Sequence, residues 1–146
     1  MITVTVAGGF DPLHVGHLEH FREAKKLGDR PIVIIGPDEF LIKKKGFVFM
    51  PLVDRIEILQ ELRIVNGVVV AIDKDGTVAK TIRMIKPQIF AKGGDRTADN
   101  MPEGELKVCE EIGCKIVFGV GRQLRSSTEM AIDLVLSVRE GLPEDE

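Results

Sequence analysis

The chain has 146 residues, of which 44% are hydrophobic and 29% are charged, and its net charge is −3. This size and composition fit a single domain with an apolar core and a charged surface. Because the chain has no basic excess, and neither Trp nor Tyr, we expect no binding to nucleic acid.

Strand and helix signals alternate along the chain. Short runs of β-branched residues that end at glycine or proline predict strands, and longer segments with apolar residues every three or four positions predict helices. In chain order we predict strand 3–7, helix 17–27, strand 31–35, a helix opening at Pro51, strand 68–72, helix 77–85, strand 88–92, helix 102–112, strand 115–118 and a helix from Ser126 to about 139–141.

The stretch between the second strand and the second helix is strongly basic. We interpret residues 43–46, which include three adjacent lysines, as a basic loop that is either solvated or ligand-binding. In the helix that follows, the spacing of apolar residues predicts four inward-facing side chains. They are Val53, Ile56, Leu59 and Leu62.

The alternation of strands and helices predicts an α/β fold. It is typical of a three-layer sandwich with a five-stranded parallel, Rossmann-like sheet and right-handed crossovers. No linker rich in glycine, proline or serine divides the chain. We therefore predict one domain over 1–141, followed by an acidic, frayed tail at 142–146.

The first residues and the cysteines bear on the compartment. Residues 1–6 lack the basic region of a signal peptide, and no apolar run approaches the roughly 20 residues of a membrane span. Cys109 and Cys114 do not have the spacing of a zinc site. We expect a cytoplasmic protein, not bound to a membrane, in which both cysteines are buried thiols.

The candidate functional residues follow the first strand. Ligands of an open parallel sheet bind beyond the carboxyl ends of its strands. Gly8 and Gly9 let the backbone turn sharply and bring its N–H groups close to an anion. His14 and His17 are spaced to share one side of the first turn of the next helix, whose N-terminus favours phosphate. The loop therefore predicts a triphosphate site.

Two alternatives exist for this loop. It would be a plain turn if the histidines were incidental residues of the helix. A dinucleotide-binding loop is the second alternative, but its GxGxxG spacing is absent. The position of the histidine pair, after a strand and two glycines, favours the triphosphate site.

Residues 8–17, Gly-Gly-Phe-Asp-Pro-Leu-His-Val-Gly-His, resemble the signature of the cytidylyltransferase-like (HxGH) nucleotidyltransferases. That family includes glycerol-3-phosphate cytidylyltransferase, archaeal FAD synthetase and the heptose-phosphate adenylyltransferases. The resemblance implies a HUP-like fold, commonly a homodimer, and attack of an acceptor phosphate on the α-phosphorus of ATP or CTP. Pyrophosphate would leave, and Mg²⁺ would be held mainly by the triphosphate, with no metal site in the protein.

Other segments extend the resemblance. Residues 92–95 resemble the KGGD segment of the heptose-phosphate enzymes, which favours ATP, although Asp95 would also suit a structural turn. Residues 125–129 resemble the family's serine motif at a helix start, where a helix cap alone would also explain the serines. The family arginine of this stretch would be Arg122 or Arg125.

The family also has a lysine in the loop before Pro51 that reaches the phosphates. We favour Lys44 for this role, then Lys43. An arginine early in the next helix, Arg55, would contact the phosphate of the acceptor. Its alternative role is a surface salt bridge with a nearby glutamate, Glu57 or Glu61.

The expected site is thus assigned residue by residue. His14, His17 and Lys44 are expected to be catalytic, with Lys43 and Arg55 at the acceptor. His20, one turn beyond His17, would lie at the site or on the helix surface. The expected nucleotide-binding residues are Gly8, Gly9, Phe10, Asp11, Gly16, Lys92, Gly94, Asp95, Arg122, Arg125, Ser126, Ser127 and Thr128.

The predicted function is transfer of AMP, or CMP, from a nucleoside triphosphate to a phosphorylated small molecule such as a sugar phosphate. One alternative is a CTP-dependent enzyme that acts on glycerol 3-phosphate or a related acceptor. A non-catalytic nucleotide sensor and a partner-binding domain that binds no nucleotide are further alternatives. The intact histidine and serine motifs favour an enzyme.

Overall fold

The structure is a computed structural model, and it describes residues 1–94, 96–122 and 126–141. Asp95, Arg125 and the predicted acidic tail lie outside the described residues. The elements in chain order are β1 (Thr3–Gly8), α1 (Val15–Lys25), β2 (Arg30–Ile35), α2 (Asp38–Lys45), α3 (Leu52–Gln60), β3 (Gly67–Val70), α4 (Ala79–Ile85), β4 (Ile89–Ala91), a 3₁₀ turn (Ala98–Asn100), α5 (Glu103–Ile112), β5 (Lys115–Val117) and α6 (Ser127–Arg139).

The described strands form one five-stranded parallel sheet in the order β3-β2-β1-β4-β5. Thr5 of the central strand pairs with Ile32 on one side and Phe90 on the other. The chain moves outward from β1 to β3 and then returns to place β4 on the opposite side of β1. The strand order therefore reverses between β1 and β4, and a crevice opens beyond their carboxyl ends.

Helices cover both faces of the sheet. On one face, Phe21 of α1 and Leu59 of α3 pack with Val6 and Val33 of the sheet. On the other face, Ile82 of α4 and Val108 of α5 pack with the remaining apolar strand residues. Burying the strands on both sides explains why they are largely apolar. The predicted three-layer α/β sandwich is confirmed.

The basic segment is helical, so its interpretation as a loop is wrong. Helix α2 runs to Lys45, and Gly46 ends it in the left-handed conformation at φ 86°. Two acidic residues lie in its first turn and three lysines in its last, an arrangement that complements the helix dipole. The acidic residues that precede the lysine run were therefore a sequence signal for a helix, which the interpretation as a loop ignored.

The inward face of α3 differs by one residue from the prediction. Leu59 is fully buried, and Ile56 and Leu62 pack against the core. Val53, however, is 72% exposed. Arg55 takes the inward position in this first turn, one helical turn before Leu59.

Other features agree with the sequence. Ser126 caps α6 as predicted, and both Cys109 and Cys114 are buried free thiols. Within the described ranges, no helix is long and apolar enough to cross a membrane. The cytoplasmic location itself stays a prediction.

Candidate active site

A cavity of about 420 Å³ lies at the carboxyl ends of β1 and β4. It is bounded by the N-termini of α1 and α6 and by the end of α2. The structure thus brings the predicted residues from four separate segments together. Those that line the cavity are Gly8, Gly9, Phe10, Asp11, His14, Gly16, His17, Lys44, Lys92, Gly94, Arg122, Ser126, Ser127 and Thr128.

His14 and His17 are held by the backbone at the start of α1. His14 is the N-cap residue, and its Nδ1 accepts the N–H of Gly16 at 3.1 Å. The His14 N–H in turn donates to Nδ1 of His17 at 3.1 Å, and the two rings stack with centroids 3.7 Å apart. Because each Nδ1 accepts a hydrogen bond, a neutral ring carries its proton on Nε2. The capping geometry therefore makes both rings Nε2–H donors.

The environment of His17 keeps its ring uncharged. Burial, and then the charges of His14 and His20, lower the pKa of His17 from 6.5 to about 3. The Phe10 ring packs against the imidazole in a T-shaped arrangement, with centroids 4.9 Å apart. At neutral pH, His17 is thus a neutral donor and neither a cation nor a base.

Phe10 supports this arrangement from the core. It is buried and adopts a positive φ of 53°, and its ring packs between His17 and Phe21. A Cβ on Gly8 would lie only 3.0 Å from that ring. Phe10 therefore lines the cavity as a packing residue whose aromatic ring faces the histidine.

His20 lies at the cavity and not on an open helix surface. Its Nδ1 is 2.6 Å from the carbonyl oxygen of Val120, so Nδ1 must carry the proton and donate. Burial, opposed by that hydrogen bond, lowers the pKa of His20 below 6.5. Gly93 packs against the ring so closely that a Cβ there would lie 2.9 Å from Nδ1.

The three lysines of α2 have different surroundings. The Lys45 ammonium is 2.9 Å from the Asp11 carboxylate and donates to the Asp11 carbonyl oxygen at 2.6 Å. Lys44 is exposed and lines the cavity, whereas Lys43 is exposed and does not. Lys44 therefore stays the candidate for the phosphates, and the structure gives no support for Lys43 at the acceptor.

Asp11 holds the segment between α2 and α3. Its carboxylate accepts the N–H of Phe49 at 2.7 Å and the N–H of Met50 at 2.6 Å. Burial alone would raise its pKa, but these hydrogen bonds and the Lys45 ammonium hold the pKa of Asp11 below 3.8. Asp11 thus lines the cavity with both carboxylate oxygens bound inside the protein, and its expected contact with the nucleotide stays a prediction.

Arg55 is a buried connector. Its side chain is 1% exposed. Nε donates to Met50 O at 2.9 Å, and Nη1 donates to the carbonyl oxygens of Gly9 and Gly36, each at 2.8 Å. Nη2 forms an ion pair with Asp38 at 2.6 Å. The guanidinium therefore ties α3 to the first loop and to α2.

Both sequence interpretations of Arg55 are wrong for this reason. A guanidinium enclosed by protein oxygens does not face an acceptor, and its ionic partner is Asp38 instead of Glu57 or Glu61. The register of α3 contained the signal, because Arg55 lies four residues before the buried Leu59. Arginine is rarely fully buried, so the sequence pattern favoured the surface.

The N-terminus of α6 forms another wall of the cavity. The Ser126 hydroxyl accepts the N–H of Glu129 at 3.3 Å, and the Ser127 hydroxyl donates to the Pro12 carbonyl at 2.8 Å. The second bond fixes α6 against the first loop, so the positive end of the helix faces the site. Arg122 is largely exposed, with Nε 3.3 Å from Glu19.

Lys92 follows β4 on the far wall of the cavity. Its ammonium lies over the Phe90 ring, 4.6 Å from the centroid, and 3.9 Å from the Glu105 carboxylate. Burial lowers the pKa of Lys92 below 10.5, while Glu105 opposes that change. Gly94, two residues on, is left-handed at φ 60°.

The carboxylates described by the structure do not form a metal cage. No cluster of three or more histidine, cysteine or acidic residues suited to a metal occurs among the described residues. Asp11, which lines the cavity, uses both oxygens for Phe49, Met50 and Lys45. That Mg²⁺ is held mainly by the triphosphate stays a prediction.

Comparison with known proteins decides the family. A family model described as cytidylyltransferase-like matches residues 5–131. This range contains every described residue that lines the cavity. The chain belongs to the cytidylyltransferase-like family. This confirms the resemblance of the first loop and places the chain among the nucleotidyltransferases.

The curated relatives of this cytidylyltransferase-like chain include proteins of two names, FAD synthase and bifunctional protein HldE. FAD synthase of Pyrococcus abyssi is 41% identical over 100 residues, which are 67% of this chain and 66% of that protein. The bifunctional protein HldE of Streptomyces coelicolor is 36% identical over 131 residues, which are 88% of this chain and 27% of that protein. The chain thus spans just under two thirds of the former and about a quarter of the latter.

Solved structures agree with the fold. A lipopolysaccharide core biosynthesis protein from Thermoplasma volcanium superposes with a TM-score of 0.70 at 31% identity, covering 83% of this chain and 98% of that one. TmcAL of Thermotoga maritima, solved with alpha-thio ATP, has a TM-score of 0.66 at 15% identity, covering 99% of this chain and 54% of that one. The second likeness concerns the fold alone.

Proposed function

We propose that this cytidylyltransferase-like protein transfers AMP from ATP to the phosphate group of a small-molecule acceptor. A phosphate oxygen of the acceptor attacks the α-phosphorus and forms a new P–O bond. The bond from the α-phosphorus to the bridging oxygen breaks, and pyrophosphate leaves with that electron pair. The attacking oxygen is already anionic, so the step requires no nucleophilic side chain and no strong base.

The observation that carries this proposal is the pair of Nε2–H donors on His14 and His17, of which His17 is uncharged. Negative charge grows on the α-phosphate oxygens and on the bridging oxygen as the bond breaks. Donors fixed beforehand stabilise that charge without reorganisation during the step. Backbone N–H groups hold both Nδ1 atoms, which provides the required rigidity.

The remaining phosphates would be bound by positive groups around the cavity. Lys44 lies at the end of α2, and Lys92 lies on the opposite wall. The N-terminus of α6, with Ser126 and Thr128, supplies N–H and hydroxyl groups between them. These groups supply the positive charge and the donors that a triphosphate needs in addition to the two histidines.

The relatives support ATP over CTP. FAD contains AMP joined to FMN through a pyrophosphate link, so the name FAD synthase implies AMP transfer to a phosphate. Pyrococcus horikoshii and Thermoplasma volcanium also have proteins of this name, 40% and 34% identical to the chain. The acceptor would be FMN if the chain follows these relatives, and a sugar phosphate if it follows HldE.

Pyrophosphate release tests the proposal. The protein is incubated with Mg–ATP or Mg–CTP and, in turn, with FMN, a heptose phosphate and glycerol 3-phosphate. We expect release with ATP and one phosphorylated acceptor, and none with riboflavin, which lacks the attacking phosphate. Release with CTP alone would replace AMP by CMP in the proposal. Tight ATP binding without release for any acceptor would instead favour a nucleotide sensor.

We also propose that the protein is a homodimer that pairs through α6. This helix exposes apolar side chains all round, which is unusual for a helix facing water. The exposed residues are Met130, Ile132, Leu134, Val135, Leu136 and Val138. Light scattering at micromolar concentration should give twice the chain mass, and Leu134→Glu should halve it. A wild-type monomer would refute the dimer without bearing on AMP transfer.

A further inference from the structure

Glu105 is a carboxylate buried behind the wall of the cavity. It lies on α5 with a side chain 6% exposed. Its Oε2 accepts the N–H of Val78 at 3.1 Å, at the start of α4. Its Oε1 is buried and has no hydrogen-bond partner among the described residues. Leaving a charged oxygen without a hydrogen bond costs free energy, so the carboxylate depends on a nearby cation for stabilisation.

That cation is the ammonium of Lys92. Its side chain is 13% exposed, and Nζ lies 3.9 Å from Glu105 Oε1. This distance is too long for a hydrogen bond, so Glu105 does not use the three N–H donors of the ammonium. The Phe90 ring covers another side of Nζ at 4.6 Å. Lys92 is thus held by charge and by an aromatic face, and it lines the cavity.

We infer that Glu105 is a positioning residue that keeps the Lys92 ammonium charged and directed at a phosphate of the bound nucleoside triphosphate. The inference rests on the proposed function, because it takes the cavity to hold a triphosphate. Glu105 itself touches no ligand. The phosphate completes the coordination of an ammonium whose donors the carboxylate leaves unused.

The charges around Lys92 explain why a buried carboxylate is needed. Burial lowers the pKa of Lys92, and the positive charge of Arg96 lowers it further. Glu105 and Cys109 on α5 act in the opposite direction. His20 faces the ammonium from α1 and is kept neutral partly by it. Without Glu105, Lys92 would lose its proton at a lower pH, and the neutral amine would attract phosphate less strongly.

Titration of Lys92 tests the inference without turnover. The lysines are labelled with ¹³C, and the Lys92 signal is assigned by its loss in Lys92→Arg. In Glu105→Gln, which keeps an acceptor for the Val78 N–H, we expect the pKa of Lys92 to fall by about one unit. Glu103→Gln, an exposed change on the same helix, should leave it unchanged. An unchanged Lys92 pKa in Glu105→Gln would overturn the inference.

Equilibrium binding of ATP supplies a second test. Lys92→Gln should weaken binding about tenfold, as expected for a lost charged hydrogen bond. Glu105→Gln should weaken it by an amount that grows with pH, and should add nothing in the Lys92→Gln background. Independent, additive losses would contradict the inference. Since neither measurement requires AMP transfer, failure of the proposed reaction and failure of this inference are separate results.

Discussion

The two histidines of the first turn of α1 illustrate how a capping motif fixes chemistry. Each Nδ1 accepts a backbone N–H, so the protonated Nε2 is set by the fold and not by the solvent. Both residues line the cavity. At this scale the site is a pair of oriented Nε2–H donors.

Removing one of these donors should slow the reaction without unfolding the protein. We predict that His17→Ala lowers the rate of pyrophosphate release by roughly 10²–10³, the loss seen for one donor at a developing oxyanion. Val15→Ala, an exposed change in the same helical turn, is the matched control and should retain full turnover. Steady-state kinetics with thermal unfolding of each variant measure both effects. Near-normal turnover in His17→Ala would refute the assigned role.

The depressed pKa of His17 predicts how stability depends on pH. An unfolded histidine binds a proton below pH 6.5, whereas His17 in the native state does so only near pH 3. The unfolded state therefore binds more protons in this window, and stability falls as pH decreases from 6.5 towards 3. Above pH 6.5 the contribution of His17 is constant.

Urea unfolding measures this linkage. We expect the free energy of unfolding to drop by about 1–2 kcal/mol between pH 7 and pH 5 through His17. In His17→Asn, which does not titrate, that drop should be smaller by the same amount. Equal pH dependence in the two proteins would show that His17 is protonated in the native state.

At the scale of elements, Asp11 and Arg55 join the first loop to α2, α3 and the segment between them. Asp11 binds the N–H groups of Phe49 and Met50, and Arg55 binds carbonyl oxygens of Gly9, Gly36 and Met50. The loop that carries the histidines is therefore held in place by α3. A substitution in α3 that removes these hydrogen bonds would therefore disturb the site without touching a ligand.

Substitution of Arg55 should destabilise the whole domain. Arg55→Met removes the partner of three buried carbonyl groups and of Asp38, so we expect a loss of about 3–5 kcal/mol. Arg55→Lys should recover little, because one ammonium cannot reproduce the planar set of donors. Arg63→Met, an exposed change just after α3, should cost less than about 0.5 kcal/mol. Urea denaturation gives these values, and a mild Arg55→Met effect would contradict the connector role.

These elements also show how far sequence reasoning reached. Four of the five strands were predictable because their β-branched or apolar runs end close to a glycine, and the HxGH turn was predictable from residues adjacent in the chain. The partners of Arg55 and Asp11 were not predictable because they lie in other segments, 19 and 38 residues away for Gly36 and Phe49. Pairings at such a distance leave no periodic trace in the sequence.

At the scale of the whole molecule, the strand order places the site. The reversal between β1 and β4 brings the histidine loop, α2, Lys92 and the N-terminus of α6 around one cavity. The sequence predicted these segments separately, and the parallel sheet explains why they meet. The membership of the cytidylyltransferase-like family and the geometry of the cavity lead to the same reaction class.

Transfer of the α-phosphate label tests the central claim most directly. The protein is incubated with α-³²P-labelled ATP, Mg²⁺ and FMN or a sugar phosphate, and products are separated by chromatography. We predict that the label moves onto the acceptor with one pyrophosphate released per transfer, and that His17→Ala largely abolishes both. Label that stays in intact ATP with every acceptor, or equal transfer by His17→Ala, would contradict the account.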